Sequence, residues 1–290
     1  MKRTRLMPFL LPLLLCACQA TGISLPDAER PVTDGDNPPP EPAPSPIPAE
    51  YALRWTTSST TAEAVAKELQ AVLDQLKQRI GSPGTPKREE FIVTYYDVAA
   101  ESWPQGYNAS LRKRQKIGGE KYEVNYKVRG PAPLPGNFPV VRTCERAAVT
   151  QEREIDIAIA SQRTGNRQNA SINCEAKSKD GIPAALTPAG PARLCKIAMT
   201  RHTLQWNEAP PSEKKELKVE YWTFKPSAGD KPVHALIEVS WKSDGANDAA
   251  EQAFRDAIAP LVTAAADRLQ PTPPPGKEQT ALSCDRNWAP

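Results

Sequence analysis

Basic side chains recur at alternate positions along two neighbouring predicted strands, residues 110–117 and 121–129. Gly118-Gly119 between them predicts a two-residue turn of the primed type, which sets Arg112 opposite Asn125 and Arg114 opposite Glu123. Because successive side chains of a strand point to opposite faces, one face of this hairpin packs on a core and the other collects cations. The cationic face comprises Arg112, Arg114, Lys116, Lys121, Lys127 and Arg129. Guanidinium and ammonium groups gathered in this way could bind the oxygens of an anion.

Acidic side chains alternate in the same way on other predicted strands. Glu152, Glu154 and Asp156 share one strand face, and Glu220 and Glu238 lie on the polar faces of two later strands. Two arrangements explain these charges. An antiparallel sheet commonly exposes one polar face to water, whereas a sheet that curls into a barrel would turn the same charges inward. The alternation is identical in both arrangements, so it does not separate them.

The charged strands belong to a predicted α+β fold with about eight strands and two main amphipathic helices. Thr60 to Glu63 reads as a capping box for the first helix, which Gly81 should end, and Asp248 is the predicted cap of the second. No alternation of strands and helices is present between them, so the sheet should be mostly antiparallel. Enrichment in β-branched and aromatic residues predicts strands at 51–57, 91–97, 110–117, 121–129, 154–160, 196–205, 217–224 and 233–241.

The order of these motifs resembles the CYTH, or triphosphate tunnel, superfamily. The resemblance rests on Tyr95-Tyr96-Asp97, on Leu111-Arg112-Lys113-Arg114 and on the strand from Tyr122 to Arg129. It implies an antiparallel barrel, or tunnel, in which inward Arg and Lys bind a triphosphate and acids hold Mg²⁺ or Mn²⁺. The implied anion ligands are Arg112, Arg114, Lys127, Arg153, Lys196 and Arg201, and the implied metal carboxylates are Glu220 and Glu238. Arg129, from the cationic face of the hairpin, is a further anion-binding candidate.

The first predicted strand departs from that family. The family carries Glu-x-Glu-x-Lys there, its main metal-binding and catalytic element, whereas residues 51–55 contain no acid and Glu50 lies just before them. The sequence also contains no G-x-S-x-G elbow, H-E-x-x-H pair or P-loop, and its two histidines offer little general-base chemistry. We therefore expect a charged cavity without a complete catalytic set.

The N-terminus predicts export and lipidation. A basic start precedes an apolar run, residues 6–15, that is too short to cross a bilayer, for which about twenty residues are needed. Leu15-Cys16-Ala17-Cys18 resembles the lipobox of bacterial lipoproteins, with Cys18 as the lipid-bearing residue; an ordinary secretory signal cut nearby is the alternative. Gln19 then favours the outer membrane, so we expect a lipid-anchored, periplasm-facing protein whose leaflet orientation stays open.

Charge and cysteine usage agree with export. The chain has 37 Lys and Arg against 34 Asp and Glu, but the predicted signal holds the whole excess, so no nucleic-acid partner is expected. Cys144, Cys174, Cys195 and Cys284 would remain in an oxidising compartment. Of the three pairings that they allow, we favour Cys144 with Cys174 and Cys195 with Cys284, because the second would pin the Pro-rich tail.

The predicted organisation is a signal peptide at 1–17, a Pro-rich linker at 18–50, one α+β domain at 51–270 and a tethered tail at 271–290. A non-enzymatic lipoprotein that binds or scaffolds a periplasmic protein partner is the first functional hypothesis. The alternative hypothesis is a tunnel that binds, or weakly hydrolyses, triphosphate or polyphosphate. Mg²⁺ or Mn²⁺ is expected as a cofactor only in the tunnel case.

Overall fold

The computed structural model describes residues 46–57, 61–96, 98, 105–133, 150–161, 165–186, 195–211, 213–225, 234–269 and 273–284. All of these residues belong to one compact unit that begins at residue 45. The predicted lipidation site Cys18, most of the Pro-rich linker, Cys144 and the side chain of Cys284 lie outside the described residues. Cys174 and Cys195 are both disulfide-bonded, and their pairing with Cys144 and Cys284 stays a prediction.

Within the part of the chain that the structure describes, nine strands close into a barrel. They are β1 Ala49–Thr56, β2 Lys87–Tyr96, β3 Asn108–Lys116, β4 Tyr122–Gly130, β5 Thr150–Ile159, β6 Arg167–Ser178, β7 Lys196–Gln205, β8 Glu216–Lys225 and β9 His234–Ser243. Around the barrel the order is β1-β5-β6-β4-β3-β2-β7-β8-β9, and β9 pairs with β1. Only β1 and β5 run parallel, since every other described pair is antiparallel. The predicted mostly antiparallel α+β fold is therefore confirmed.

The additional strand is β6, in a region for which no strand was predicted. Its outward residues Ala170, Ile172 and Cys174 are buried, while Asn169 and Asn173 line the barrel interior. Asparagine and alanine have low strand propensity, so this segment carries a weak sequence signal. Pairing with β4 and β5 on its two sides places it in the barrel nevertheless.

The predicted hairpin is formed by β3 and β4 in the expected register, with Arg112 paired to Asn125 and Arg114 to Glu123. Its turn differs from the prediction, because β3 ends at residue 116 and β4 begins only at residue 122. The Gly119 N–H donates to the Lys116 carbonyl at 2.9 Å, and Gly118 adopts a φ of 77°. The connection is thus longer than a two-residue primed turn.

Among the described residues, three helices accompany the barrel: α1 Ala62–Arg79, α2 Asp248–Ala264 and α3 Lys277–Cys284. The cap of α1 is Thr61, one residue after the start of the predicted capping box, and its hydroxyl accepts the Ala64 N–H at 3.2 Å. The α2 helix is capped by Asn247 rather than Asp248, since the Asn247 side chain accepts the Ala250 N–H at 2.8 Å. Within the described ranges, no helix is both long and apolar enough to cross a bilayer.

Two apolar layers cover the outside of the barrel. Helices α1 and α2 bury Leu76 and Phe254 against the outward faces of β1, β8 and β9, where Trp241 lies. On another side, Leu186 of a short 3-10 turn, residues 184–186, packs with the outward residues of β3, β4 and β6. Because the outward faces form these cores, the polar faces of the same strands point into the barrel.

The first strand begins two residues earlier than predicted. Glu50 pairs with Lys242 of β9 and with Asp156 of β5, so it belongs to β1 and faces the interior. The prediction that this strand lacks an acid was therefore wrong. Local sequence did not reveal this start, because it is fixed by pairing to β5 and β9, which are distant in the chain.

Candidate anion-binding tunnel

The barrel interior holds a cavity of about 530 Å³ whose lining is mostly charged. Its cations come from seven strands and from α3, and they are Arg54, Arg112, Arg114, Lys127, Arg129, Arg167, Arg201, Lys218, Lys242 and Lys277. Its acids are Glu50, Glu152, Glu154, Asp156, Glu175, Glu220 and Glu278. The charges of the hairpin and of the acidic strands therefore line the same interior. Of the two arrangements that the sequence allowed, the structure has the closed barrel with inward charges.

One wall of the cavity is cationic, and we define this cationic wall as Arg112, Arg114, Arg201 and Lys218. Phe91 separates two of its members: the guanidinium carbons of Arg114 and Arg201 lie 4.8 and 5.5 Å from the centre of the Phe91 ring. Burial, Arg112 and Arg201 lower the pKa of Arg114. Burial and Arg201 likewise lower the pKa of Lys218. These shifts indicate positive charges that repel one another inside the barrel.

Arg112 is the member of this wall whose positive charge is least compensated by carboxylates of the chain. Its Nε is buried and makes no hydrogen bond, and no carboxylate pairs with it among the described residues. Its cross-strand partner is the amide Asn125, and its hydrogen bond to Tyr95 supplies no formal negative charge. Arg114, by contrast, pairs with Glu123, with Nε 2.9 Å from the carboxylate. Leaving a buried Nε without a partner or counter-charge is costly, so Arg112, which is half-buried, is suited to meet an anion from outside the chain.

The opposite side of the cavity gathers carboxylates with cations between them. Lys127 Nζ lies 3.2 Å from Glu154 and 2.8 Å from Asp156, while Arg129 Nε lies 2.9 Å from Asp156. Lys242 Nζ is 2.7 Å from Glu154. Burial alone would raise the pKa of Asp156, but Lys127 and Arg129 hold it far below its ordinary value. Glu154 differs, because burial and its acidic neighbours raise its pKa.

A second charged group joins β8, β9 and α3, and we define this tail network as Arg54, Glu220, Glu238 and Lys277. Glu220 and Glu238 are cross-strand neighbours and are almost fully buried. Lys277 Nζ lies 2.8 Å from Glu220 and 2.6 Å from Glu238, and Arg54 pairs with Glu238. Arg201 adds a pair to Glu220, with Nε at 2.8 Å. Despite burial, Lys277 and Arg201 hold the pKa of Glu220 well below its usual range.

The structure brings together most of the site residues that were predicted from the sequence. Arg112, Arg114, Lys127, Arg129 and Arg201 line the cavity as anion-ligand candidates, and the metal candidates Glu220 and Glu238 lie in the tail network. Two candidates lie elsewhere: Arg153 and Lys196 are exposed on outward positions of β5 and β7. Their neighbours Glu154 and Ile197 are the buried residues, so alternation excludes Arg153 and Lys196 from the interior.

Sequence reasoning missed several residues that line the cavity. Arg54 alternates with Glu50 on β1, and Lys242 follows Glu238 at an even spacing on β9, so strand alternation could have found both. Lys277 had no such signal, because it follows a Pro-rich stretch that was predicted to be a tail. Lys116 and Lys121 of the predicted cationic face are exposed at the hairpin tip instead.

Comparisons with known proteins give no family and no curated relative for this chain: no family model matches it, and no curated protein matches it. Among solved structures, it is similar to HpAC1 from Hippeastrum, a candidate adenylyl cyclase with a dominant triphosphatase activity, at 10% identity and a TM-score of 0.38. It is also similar to the PH1819 protein from Pyrococcus horikoshii OT3, at 9% identity and a TM-score of 0.37. Both matches cover 81% of this chain; they cover 95% of the HpAC1 chain and 98% of the PH1819 chain.

Proposed function

We propose that the barrel is a tunnel that binds a linear polyphosphate anion, of which inorganic tripolyphosphate is the simplest. The observation that carries this proposal is Arg112, a cavity-lining guanidinium whose buried Nε lacks a hydrogen bond. A phosphate oxygen accepts such a donor well, because guanidinium and phosphate form charge-assisted bonds. The rest of the cationic wall supports an anion with several charges, since its members repel one another when no anion is present.

A divalent cation fits a different part of the cavity. One ligand oxygen from each of Glu50, Glu154 and Asp156 lies within 4.8 Å of the others, and such carboxylates suit Mg²⁺ or Mn²⁺. Lys127 and Lys242 already contact this group, so a metal ion would compete with two ammonium groups. When bound, the ion would neutralise charge on a phosphate. These carboxylates are different from Glu220 and Glu238, the pair that the family resemblance implied.

We propose binding rather than hydrolysis as the main activity. Glu50, Ala52 and Arg54 occupy alternate positions of β1, where the resembling family carries Glu-x-Glu-x-Lys. The first acid and the final cation of that motif are thus matched, but alanine replaces the second acid. With one carboxylate fewer, this strand has less capacity to hold a metal ion that activates water.

Titration calorimetry of the full chain with tripolyphosphate, with and without Mg²⁺ or Mn²⁺, tests this proposal. We expect saturable binding that weakens about 10- to 100-fold in Arg112→Ala, because charged hydrogen bonds contribute about 1.5–3 kcal/mol each. Arg153→Ala is the matched control, since it removes the same charge from the outer face and should bind as the wild type does. Binding that is absent in the wild type, or equal in both variants, would contradict the tunnel.

Envelope attachment is a separate proposal that rests on the sequence alone. We propose that Cys18 carries lipid and tethers the barrel to the outer membrane through the Pro-rich linker. Metabolic labelling with a palmitate analogue should mark the wild-type chain and leave Cys18→Ser unmarked. Equal labelling of both chains would place the lipid elsewhere. A scaffolding role with a periplasmic protein partner also stays a prediction.

A further inference from the structure

The N-terminal turn of α3 enters the charged cavity with two adjacent residues of opposite sign. Lys277 places its ammonium between Glu220 and Glu238, at 2.8 and 2.6 Å, and 4.9 Å from the centre of the Trp222 ring. Glu278 places its carboxylate 3.2 Å from Arg129 Nη1. One short segment thus supplies a cation to the interior acids and an anion to an interior cation.

Farther along α3, Ala281 is seated against the apolar part of the barrel interior. Ala281 is fully buried in a cluster with Phe91, Tyr95, Trp222 and Phe224, all of which lie on inward positions of their strands. Thr280 is almost fully buried as well. This part of α3 therefore occupies space inside the barrel, next to the turn that carries Lys277 and Glu278.

We propose that the N-terminal turn of α3 is an internal ligand of the tunnel: Glu278 occupies a position for an external polyanion, and this turn must move before the tunnel binds fully. Arg129 is the shared group, because it lines the cavity and is contacted by Glu278. Lys277 and Glu278 keep side-chain exposures of 19% and 15%, so solvent and ions can reach their ion pairs. This inference rests on the proposed function, since it requires that the cavity bind an anion.

Competition by an internal group has a defined consequence. Apparent affinity is reduced by the fraction of molecules whose site is open, so weakening the internal contact should tighten binding of the external ligand. Glu278→Gln keeps the size of the side chain and removes its charge. We expect this variant to bind tripolyphosphate about 3- to 10-fold more tightly than the wild type. Glu120→Gln is the matched control, because Glu120 is 81% exposed and pairs with Lys179 on the surface.

The movement of α3 can be measured directly in the wild-type full chain. An amine-acetylating reagent followed by mass spectrometry reports how accessible the Lys277 ammonium is, with exposed Lys196 as an internal reference. We expect Lys277 to react slowly without ligand and at least about fivefold faster with saturating tripolyphosphate. Sodium chloride at matched ionic strength should leave Lys277 protected.

The two readouts separate failure of this inference from failure of the proposed function. If Arg112→Ala weakens binding while Glu278→Gln and Lys277 reactivity show no change, the tunnel binds anions but α3 does not compete. If tripolyphosphate does not bind and Lys277 stays protected, both ideas are contradicted. Tighter binding by Glu278→Gln together with ligand-induced acetylation of Lys277 would support the internal ligand.

Discussion

The tail network differs from Arg112 and Lys218 of the cationic wall in how charge is compensated inside the same barrel, whereas Arg114 and Arg201 of that wall have carboxylate partners. In the tail network, each of Glu220, Glu238, Lys277 and Arg54 contacts a partner of opposite sign. In the cationic wall, neither Arg112 nor Lys218 forms an ion pair with a described carboxylate, although Glu50 and Glu220 partly offset the lowering of the Lys218 pKa. A buried charge with its partner in the chain serves the fold, whereas a charge without one indicates a ligand from elsewhere. Because one cavity contains both, their variants can be compared directly.

Breaking the tail network should give the largest loss of stability. Glu220→Ala leaves Arg201 and Lys277 without the carboxylate that both contact at 2.8 Å. Removing one member of a buried ion pair typically costs about 3–5 kcal/mol, because the other charge stays buried without compensation. Urea unfolding followed by circular dichroism should therefore show a clearly lower midpoint for Glu220→Ala. A loss below about 1 kcal/mol would mean that water or rearranged side chains replace the carboxylate.

Removing the guanidinium of Arg112 should not lower the free energy of unfolding, in contrast to the loss expected for Glu220→Ala. Arg112→Met keeps most of the side-chain volume and relieves repulsion with Arg114, so the free energy of unfolding should stay equal or rise by up to about 1 kcal/mol. The same variant should lose affinity for tripolyphosphate. Arg114→Met is the matched comparison, because it strands Glu123, and we expect it to be less stable than Arg112→Met in the same urea series. A large destabilisation by Arg112→Met would show that this guanidinium serves the fold.

Acid titration should distinguish two carboxylates of the cavity. The folded pKa of Glu220 lies below its unfolded value of 4.5, so its contribution to stability is complete above pH 4.5 and is lost as the pH falls through the folded pKa. The folded pKa of Glu154 is raised, so its ionisation costs stability at neutral pH and this cost is relieved on acidification. Between about pH 7 and pH 3, Glu220→Gln should flatten the decline in stability, whereas Glu154→Gln should steepen it. If stability depended on pH in the same way in both variants, the expected difference between Glu220 and Glu154 would be contradicted.

The strand alternation and the hairpin register could be predicted because they depend on local sequence. Residues 122, 124, 126 and 128 form an apolar face that must be buried, and a slip of one residue would expose it. The direction in which the charged faces point depends on closure between β1 and β9, which local periodicity does not encode. The role of Lys277 depends on contacts 39 and 57 residues away along the chain. It directly follows three prolines and Gly276, which gave no reason to place it in a cavity.

The smallest effects are expected at the two positions where family resemblance and strand alternation disagree. The resemblance assigns Arg153 and Lys196 to the anion site, but both side chains lie exposed on the outer face. Exposed charges contribute little to stability, so Arg153→Ala and Lys196→Ala should each change the free energy of unfolding by less than about 0.5 kcal/mol. Tripolyphosphate affinity should change less than about twofold, because water and salt screen charges outside the barrel. Calorimetry at two salt concentrations measures this affinity. A loss of binding that does not depend on salt, in either variant, would place that residue at the ligand and would mean that the barrel wall opens there.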